Sequence, residues 1–517
     1  MKHKVAVAAA IALAAAVYLL RLDDVAGLIK DDAWYLVLAK ALATGQGFRL
    51  ISSAATEILP AVPPGYPALL APIFLIAPRY PENLLLLKAV SIIAMAIVGI
   101  ACYVDFTRNR HVPPDAALAL STLIVLTPAF VFLATSTTMS ECVFVAAQMS
   151  GVLAVERTVR TCDRRSAIVA GMLVALTCLV RTAGFALALA AMVYLVVRKR
   201  QQAAAYAMTI AVALLPWQVY AFAHQPTNEE RVAHGGTIAY SYSQLVAMTR
   251  PASGEAISIG GTVVRAIENA RGVVTRDIGA ALFPVLYRGA SESGEEVVSV
   301  GAPATSSMGN AAGTMVVSAL LALLVLVGIS RAHDWFSLPV LLSAASIGLT
   351  SLVGAQTFRY VLPLVPFLIL YLWHCARDTP VVRVAVACLL ALCLLDHGEY
   401  LRAKWSGKAD WLADALEIEE VLSWLSAPGE AGGVASTNPG LVYLRTGRKG
   451  VYMTEPDVRS ARTRASGVRY LAALQPIELP GPALRKGLIG KTSRRGLWVV
   501  EIPDRSAVHL TQNASGR

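Results

Sequence analysis

The sequence predicts an all-α polytopic membrane domain, residues 1–395, followed by a small extracytoplasmic α/β domain, residues 396–517. The 517 residues are 56% hydrophobic and 15% charged, and the mean hydropathy is +0.58. A soluble protein of this size carries more charge. Apolar stretches long enough to cross about 30 Å of hydrocarbon recur through the first domain and predict about eleven transmembrane helices. From residue 396 the composition becomes that of a soluble protein.

The predicted membrane spans are residues 5–20, 84–104, 116–133, 142–155, 166–180, 182–197, 203–221, 314–330, 337–354, 360–374 and 384–395. Lys and Arg near helix ends are retained in the cytoplasm, and every second loop after Lys2 and Lys4 is basic. The pattern predicts a multi-pass protein of the plasma (inner) membrane with a cytoplasmic N-terminus. It places the loops 21–83 and 223–312 and the C-terminal domain outside the cytoplasm.

Two further properties exclude other classes of protein. Much of the net charge of +11 lies in the loops predicted to be cytoplasmic, so the charge does not indicate nucleic-acid binding. The seven cysteines show neither a disulfide framework nor the spacing of a metal site. We therefore predict no cofactor and assign no metal, although a divalent metal is left open.

The exported segments have a mixed character. The first loop alternates short amphipathic pieces with proline-rich turns, which suits pieces that lie along the membrane surface. In the C-terminal domain the pattern predicts a helix over 410–425, a strand over 433–436, a helical turn over 441–445 and a strand over 497–502.

Charged side chains gather at the predicted outer ends of the helices. They are Asp31, Asp32, Glu57, Lys88, Glu141, Arg181 and Arg359. A secondary transporter is expected to place ionisable groups near the bilayer midplane. This distribution instead favours chemistry on a substrate that has its head group at the membrane surface and its tail in lipid.

Each of these residues also has a structural interpretation. Arg181 and Arg359 either extend from a helix end to the membrane surface or bind an anionic group such as a phosphate. Glu141 either caps a helix or belongs to the site. The adjacent acids Asp31 and Asp32 repel each other and need a compensating partner, which favours a catalytic base over a structural role.

Four motifs resemble those of the membrane glycosyltransferases of the C-type fold, which include protein O-mannosyltransferases and the aminoarabinose transferases of lipid A. The first motif is Asp31-Asp32-Ala33-Trp34-Tyr35 with the later Gly45-Gln46-Gly47-Phe48. The others are Pro63-Pro64-Gly65-Tyr66-Pro67, Arg181-Thr182-Ala183-Gly184, and Phe358-Arg359-Tyr360 followed by Pro363 and Pro366. The resemblance covers roughly residues 5–375.

The chain also departs from the family pattern. The second acid of the family is usually Glu, and Asp32 stands here. A Glu-Lys pair precedes the two prolines in the aminoarabinose transferases, whereas this chain has Ala61 and Val62. A metal or phosphate contact carried by that pair cannot be transferred, so the lipid A substrate is doubtful.

The resemblance implies transfer of a sugar from a polyprenyl-phosphate carrier to an extracytoplasmic acceptor, which is an envelope lipid, a polysaccharide or a protein. It implies Asp31 as the general base, with Asp32 beside it as the second catalytic carboxylate. The expected substrate-binding residues are Glu141, Arg181, Arg359, Tyr360, Tyr35 and Tyr66. Three rivals stay open: a transferase or polymerase of another envelope lipid, a transporter or flippase, and an inactive scaffold.

Overall fold

The structure is a computed structural model that describes residues 2–27, 29–53, 58, 61–225, 227, 246–247, 256–284, 311–353, 358–377, 380–426, 432–453, 467–479 and 486–502. Glu57 and most of the predicted exported loop 223–312 lie outside the described residues.

The N-terminal part is helical. Its helices are α1 (Lys2–Arg21), α2 (Lys30–Ala43), α3 (Gly65–Ile76), α4 (Leu84–Arg108), α5 (Pro114–Val125), α6 (Pro128–Thr135), α7 (Glu141–Thr161), α8 (Arg164–Val180), α9 (Phe185–Arg198), α10 (Arg200–Ala223), α11 (Ile259–Gly272), α12 (Ile278–Leu282), α13 (Ala311–Ala332), α14 (Leu338–Ser351), α15 (Val365–Ala376) and α16 (Val381–Trp405). A π-helical turn, Val273–Asp277, joins α11 to α12.

Six helices in the described part of the chain are long and apolar enough to cross a membrane, or seven if the pair α5 and α6 forms one bent span. Three more apolar helices are shorter: Gly65–Ile76, Thr182–Arg198 and Leu338–Ser351. The predicted helical membrane domain is thereby confirmed in its class. The number of about eleven spans and the orientation remain predictions.

Prolines explain where two predicted spans are interrupted. The predicted span 116–133 bends by 50° between α5 and α6. Thr127 there is extended (φ −56°, ψ 123°), because the residue before a proline disfavours helical geometry and Pro128 follows. The predicted span 360–374 starts as two 3-10 turns, Phe358–Tyr360 and Leu362–Leu364, before α15 begins.

The last predicted span is longer than expected. The sequence predicts a helix over 384–395, whereas α16 runs without a break from Val381 to Trp405. This helix crosses the predicted boundary between the two domains at 395, and the boundary itself stays a prediction.

The C-terminal part contains a five-stranded mixed sheet. Its strands are β1 (Gly433–Ser436), β2 (Gly450–Tyr452), β3 (Val468–Ala473), β4 (Leu488–Lys491) and β5 (Trp498–Glu501), in the order β2-β1-β3-β5-β4. β1 is parallel to β2 and β3, and β5 is antiparallel to β3 and β4. The helices α17 (Asp410–Leu425) and α18 (Pro439–Thr446) complete this part. The predicted helix 410–425 and strand 433–436 are confirmed, and the predicted helical turn at 441–445 is part of α18.

The two parts share one hydrophobic core, and α2 lies where they meet. Leu36, Val37 and Leu38 on α2 are fully buried. They belong to the same buried cluster as Leu441 and Val442 on α18. The helix that carries Asp31 is therefore packed between the helical part and the C-terminal part.

Candidate active site

Asp31 and Glu141 each lie in the first turn of a helix, α2 and α7 respectively. A carboxylate at this position is favoured because the N-terminal end of a helix carries a partial positive charge. The side chain of Asp31 is 41% exposed and that of Glu141 is 1% exposed. The tertiary fold brings both carboxylates to one cluster with two arginines.

Glu141 is the centre of this cluster. Its Oε1 lies 2.8 Å from both Nε and Nη2 of Arg359 and 3.0 Å from Nη1 of Arg181. Nη2 of Arg359 also lies 3.3 Å from Oδ2 of Asp31. Glu141 is therefore held by two guanidinium groups, and its carboxylate does more than cap its own helix. Arg359 is thus the cationic partner of Asp31 as well as of Glu141.

A chain of hydroxyl groups supports Arg181. Nη1 of Arg181 donates a hydrogen bond to Oγ of Ser140 at 3.0 Å, and that hydroxyl donates to the hydroxyl of Tyr35 at 3.0 Å. The ring of Tyr35 meets the ring of Tyr66 edge-on, with centroids 5.0 Å apart. The Tyr66 hydroxyl in turn donates to the carbonyl of Thr138 at 2.9 Å. Tyr35 and Tyr66 thus form the support behind Arg181.

A cavity of about 370 Å³ opens beside the charged cluster. Its polar lining includes Asp31, Arg181 and Tyr360. Its apolar lining includes Trp34 and Phe144. A pocket with mostly apolar walls and a few convergent polar groups is the usual form of a small-molecule site.

Asp32 occupies a different environment from Asp31. Its side chain is fully buried, and its Oδ2 accepts a hydrogen bond from the N–H of Gly27 at 2.9 Å. Oδ1 has no hydrogen-bond partner among the described residues. Burial, helped by the neighbouring charge of Asp31, raises the pKa of Asp32 to about 7. Consecutive residues of a helix point about 100° apart, so only one of the two acids faces the cavity.

The structure therefore divides the predicted site residues into four groups. Asp31, Arg181 and Tyr360 line the cavity, Arg359 and Glu141 lie in the charged cluster beside it, and Tyr35 and Tyr66 stand behind. Asp32 is buried and faces Gly27. Sequence reasoning missed Ser140 as the link between Arg181 and Tyr35, although it lies directly before Glu141. It also did not single out Trp34 and Phe144 as walls of the cavity.

Lys88, another of the outer charged residues, belongs to a separate buried network. Its Nζ lies 2.8 Å from Oδ1 of Asp23 and donates to the carbonyl of Thr135 at 2.7 Å. Oδ2 of Asp23 accepts hydrogen bonds from Ser136 at 2.6 Å and from the indole of Trp411 at 3.2 Å. This network ties the segment before α2 to the C-terminal part.

No group of three or more His, Cys, Asp or Glu side chains in the described residues is arranged to hold a metal ion. The acids near the cavity are instead engaged with arginines or with backbone N–H groups.

No protein-family model and no curated protein matches this sequence. Solved structures do match it in fold. The aminoarabinose transferase ArnT from Cupriavidus metallidurans bound to undecaprenyl phosphate is 11% identical, with a TM-score of 0.58, and the match covers 96% of this chain and 97% of that chain. The same protein in the apo state gives 12% identity, 96% and 97% coverage and a TM-score of 0.55.

The oligosaccharyltransferase from Archaeoglobus fulgidus, tethered with an acceptor peptide containing the NVT sequon, is also similar. It is 14% identical with a TM-score of 0.51, and the match covers 90% of this chain and 68% of that chain. At this level of identity the likeness shows the fold. The chain thus has the C-type fold that its first-loop motif predicted.

Proposed function

We propose that this protein is a membrane glycosyltransferase that moves a sugar from a polyprenyl-phosphate carrier to an acceptor outside the cytoplasm. The observation that carries the proposal is the position of Asp31, a partly exposed carboxylate that lines a cavity together with Arg181. A base and a cation on one cavity are the two groups that glycosyl transfer from a lipid phosphate requires.

The reaction exchanges two bonds at the anomeric carbon. Asp31 accepts the proton of the acceptor hydroxyl as its oxygen bonds to the anomeric carbon, while the bond from that carbon to the phosphate oxygen breaks. Arg181 stabilises the negative charge that returns to the departing phosphate. A lipid phosphate is a good leaving group, so a cation suffices in place of a general acid.

Arg359 orients the base in this proposal. Its guanidinium contacts the carboxylates of Asp31 and Glu141 at once, which fixes the direction of Asp31 toward the cavity. Planar guanidinium groups suit such simultaneous contacts better than ammonium groups. Arg181, which lines the cavity, is then the cation that contacts the phosphate.

The aromatic and apolar walls suit the rest of the donor. Trp34 and Phe144 offer ring surface to a sugar face or to the first isoprene units, and Tyr360 adds a hydroxyl beside them. The neighbour of similar fold was solved bound to undecaprenyl phosphate, which supports a donor of this class. The other neighbour was solved with a tethered acceptor peptide, which supports binding of an acceptor to a protein of this fold.

For the orientation, we propose the arrangement that the loop charges indicate, with eleven spans, a cytoplasmic N-terminus and an extracytoplasmic C-terminal domain. A cysteine at Ser423, an exposed position of α17, should react with an impermeant thiol reagent in intact cells. The exposed native Cys162 should not react. The reverse labelling pattern would invert the orientation and place the cavity on the cytoplasmic side.

The function is tested by mass spectrometry of envelope glycolipids, glycans and polyprenyl-phosphate sugars from a strain that lacks the protein. We expect one sugar modification to disappear and its lipid-linked donor to accumulate. Wild type and Asp24→Asn, a change at an exposed acid of the same loop, should restore the modification. Asp31→Asn should not. Restoration by Asp31→Asn with dependence on an ion gradient would instead indicate a transporter or flippase.

A further inference from the structure

The turn before α2 is hydrogen-bonded to the C-terminal domain at Gly27. The N–H of Gly27 donates to Oδ2 of Asp32 at 2.9 Å, and its carbonyl accepts from Nδ2 of Asn438 at 2.8 Å. Both bonds are buried, so water does not replace either of them readily. Gly27 thus connects an acid of the first-loop motif to a residue 411 positions away.

The backbone at this point leaves room only for glycine. Gly27 has a φ of +83°, in the left-handed region, and a Cβ there would lie 2.6 Å from Cδ1 of Leu441 on α18. Further along, Gly440 of α18 packs so closely on α2 that a Cβ would lie 3.3 Å from Cβ of Ala33. The N-terminal end of α2 and the turn before it therefore pack directly against α18.

The far end of α2 is held by the same domain. The N–H of Gly450, at the start of β2, donates to the carbonyl of Ser52 at 2.8 Å. Lys40, in the last turn of α2, lies over the ring of Tyr443 on α18, with Nζ 5.2 Å from the ring centroid. The C-terminal domain thus contacts α2 in its first turns, at Ala33, and in its last turn, at Lys40, and also contacts the segment that follows it, at Ser52.

Asn438 makes two separable contacts. Its Oδ1 accepts from the N–H of Leu441 at 3.2 Å and caps α18, while its Nδ2 donates to Gly27. Ser and Asp are equally good helix caps, but neither offers an amide donor to Gly27. The cap alone therefore does not require asparagine, whereas the contact with Gly27 requires the amide group.

We infer that Asn438 is a positioning residue of the C-terminal domain that, through Gly27 and Asp32, fixes the N-terminal turn of α2 and thereby the placement of Asp31 at the cavity. The inference rests on the proposed function for its link to turnover. It assigns the C-terminal domain a part in organising the active site, through a contact directly before α2 that adds to the bond between Trp411 and Asp23 earlier in the same segment.

The protonation of Asp32 reports on this contact. Among the described residues, the ionisable groups that interact electrostatically with Asp32 are Asp31, Tyr80 and Lys88, and Lys88 is already paired with Asp23. The N–H of Gly27 favours the ionised form of Asp32. Loss of the Asn438 amide releases Gly27 and weakens that bond, so Asp32 should hold its proton to a higher pH.

The test uses the full-length protein with two variants of Asn438. Asn438→Ser and Asn438→Asp both keep the cap of α18 and remove the donor to Gly27. The matched control is Thr492→Val, directly after the opposite edge strand β4, which removes two buried hydrogen bonds: one donated to Glu417 and one accepted from the N–H of Leu497. For each variant we would measure kcat and KM of sugar transfer. We would also follow the infrared carbonyl band of protonated Asp32 against pH, assigned by its loss in Asp32→Asn.

We expect both Asn438 variants to lower kcat on the order of tenfold with little change in KM, because misplacement of a catalytic group acts on the chemical step. The infrared midpoint of Asp32 should move to higher pH in both, and the control should change neither quantity. Wild-type kcat and an unmoved midpoint in either stable variant would overturn the inference. If wild type transfers no sugar, the proposed function fails, and the infrared midpoint still decides whether Asn438 controls Asp32.

Discussion

Arg359 and Asp31 meet at the cavity although 328 positions separate them in the chain, with Nη2 of Arg359 lying 3.3 Å from Oδ2 of Asp31. The same guanidinium contacts Glu141 at 2.8 Å. Asp31 is therefore the exposed member of a charged cluster and has a fixed direction. Three charged residues near it, Arg359, Arg181 and Asp32, have different environments, so substitutions of each should have different effects.

Arg359→Lys should lower turnover at least about tenfold, a cost of about 1.4 kcal/mol. In the wild type, Nε and Nη2 of Arg359 contact Glu141, and Nη2 also contacts Asp31. The single ammonium group of lysine cannot make all of these contacts at once. Steady-state kinetics should place the effect on kcat more than on KM, because Arg359 orients carboxylates beside the cavity. If this variant had normal activity and expression, Arg359 would not orient the carboxylates, and its charge would serve only to anchor the helix end at the membrane surface.

Arg181→Lys should instead weaken the binding of the carrier lipid, by roughly tenfold, because Arg181 lines the cavity where a phosphate would lie. Ser140→Ala is the matched control, since it removes the hydroxyl that supports Arg181 and keeps the guanidinium. Its effect on affinity should be smaller. Titration with a fluorescent polyprenyl phosphate measures both, and equal affinity of Arg181→Lys and wild type would exclude Arg181 as the phosphate ligand.

Asp32 should make the folded protein less stable as the pH rises. Burial raises its pKa from an ordinary value of 3.8 to about 7, so the folded state binds this proton more tightly than the unfolded state. The contribution is fully present below about pH 4, is lost as the pH rises to about 7, and is constant above that. Thermal unfolding in detergent between about pH 5 and pH 8 should show a decrease in Tm that is smaller in Asp32→Asn. An identical pH dependence in both proteins would show that Asp32 is ionised throughout this range.

The sequence could predict the fold class because hydropathy and loop charge are local properties, and the first-loop motif pointed correctly to the C-type fold. Proline effects were predictable in part. Pro363 lies in the 3-10 turns that begin one span, and Pro128 directly follows the break at Thr127, which the predicted span 116–133 did not include. Local signals thus gave the class of each element better than its ends.

The geometry of the site was less accessible from sequence. The motif names Asp31 and Asp32 together, but their different exposure depends on which face of α2 meets the cavity and which meets Gly27. The contact between Gly27 and Asn438 arises from the docking of the C-terminal domain, and no local pattern records it. Partners that lie hundreds of residues apart are set by tertiary packing.

The most direct test of the account is transfer of a labelled sugar from a polyprenyl-phosphate donor by the purified protein, compared between wild type and Asp31→Asn. We expect Asp31→Asn to lower turnover by roughly 10²-fold or more, the scale of a lost general base, while carrier-lipid binding is retained. Asp24→Asn should transfer at the wild-type rate. Near-normal transfer by Asp31→Asn, with loss of transfer in Asp32→Asn, would contradict the assignment of Asp31 as the base.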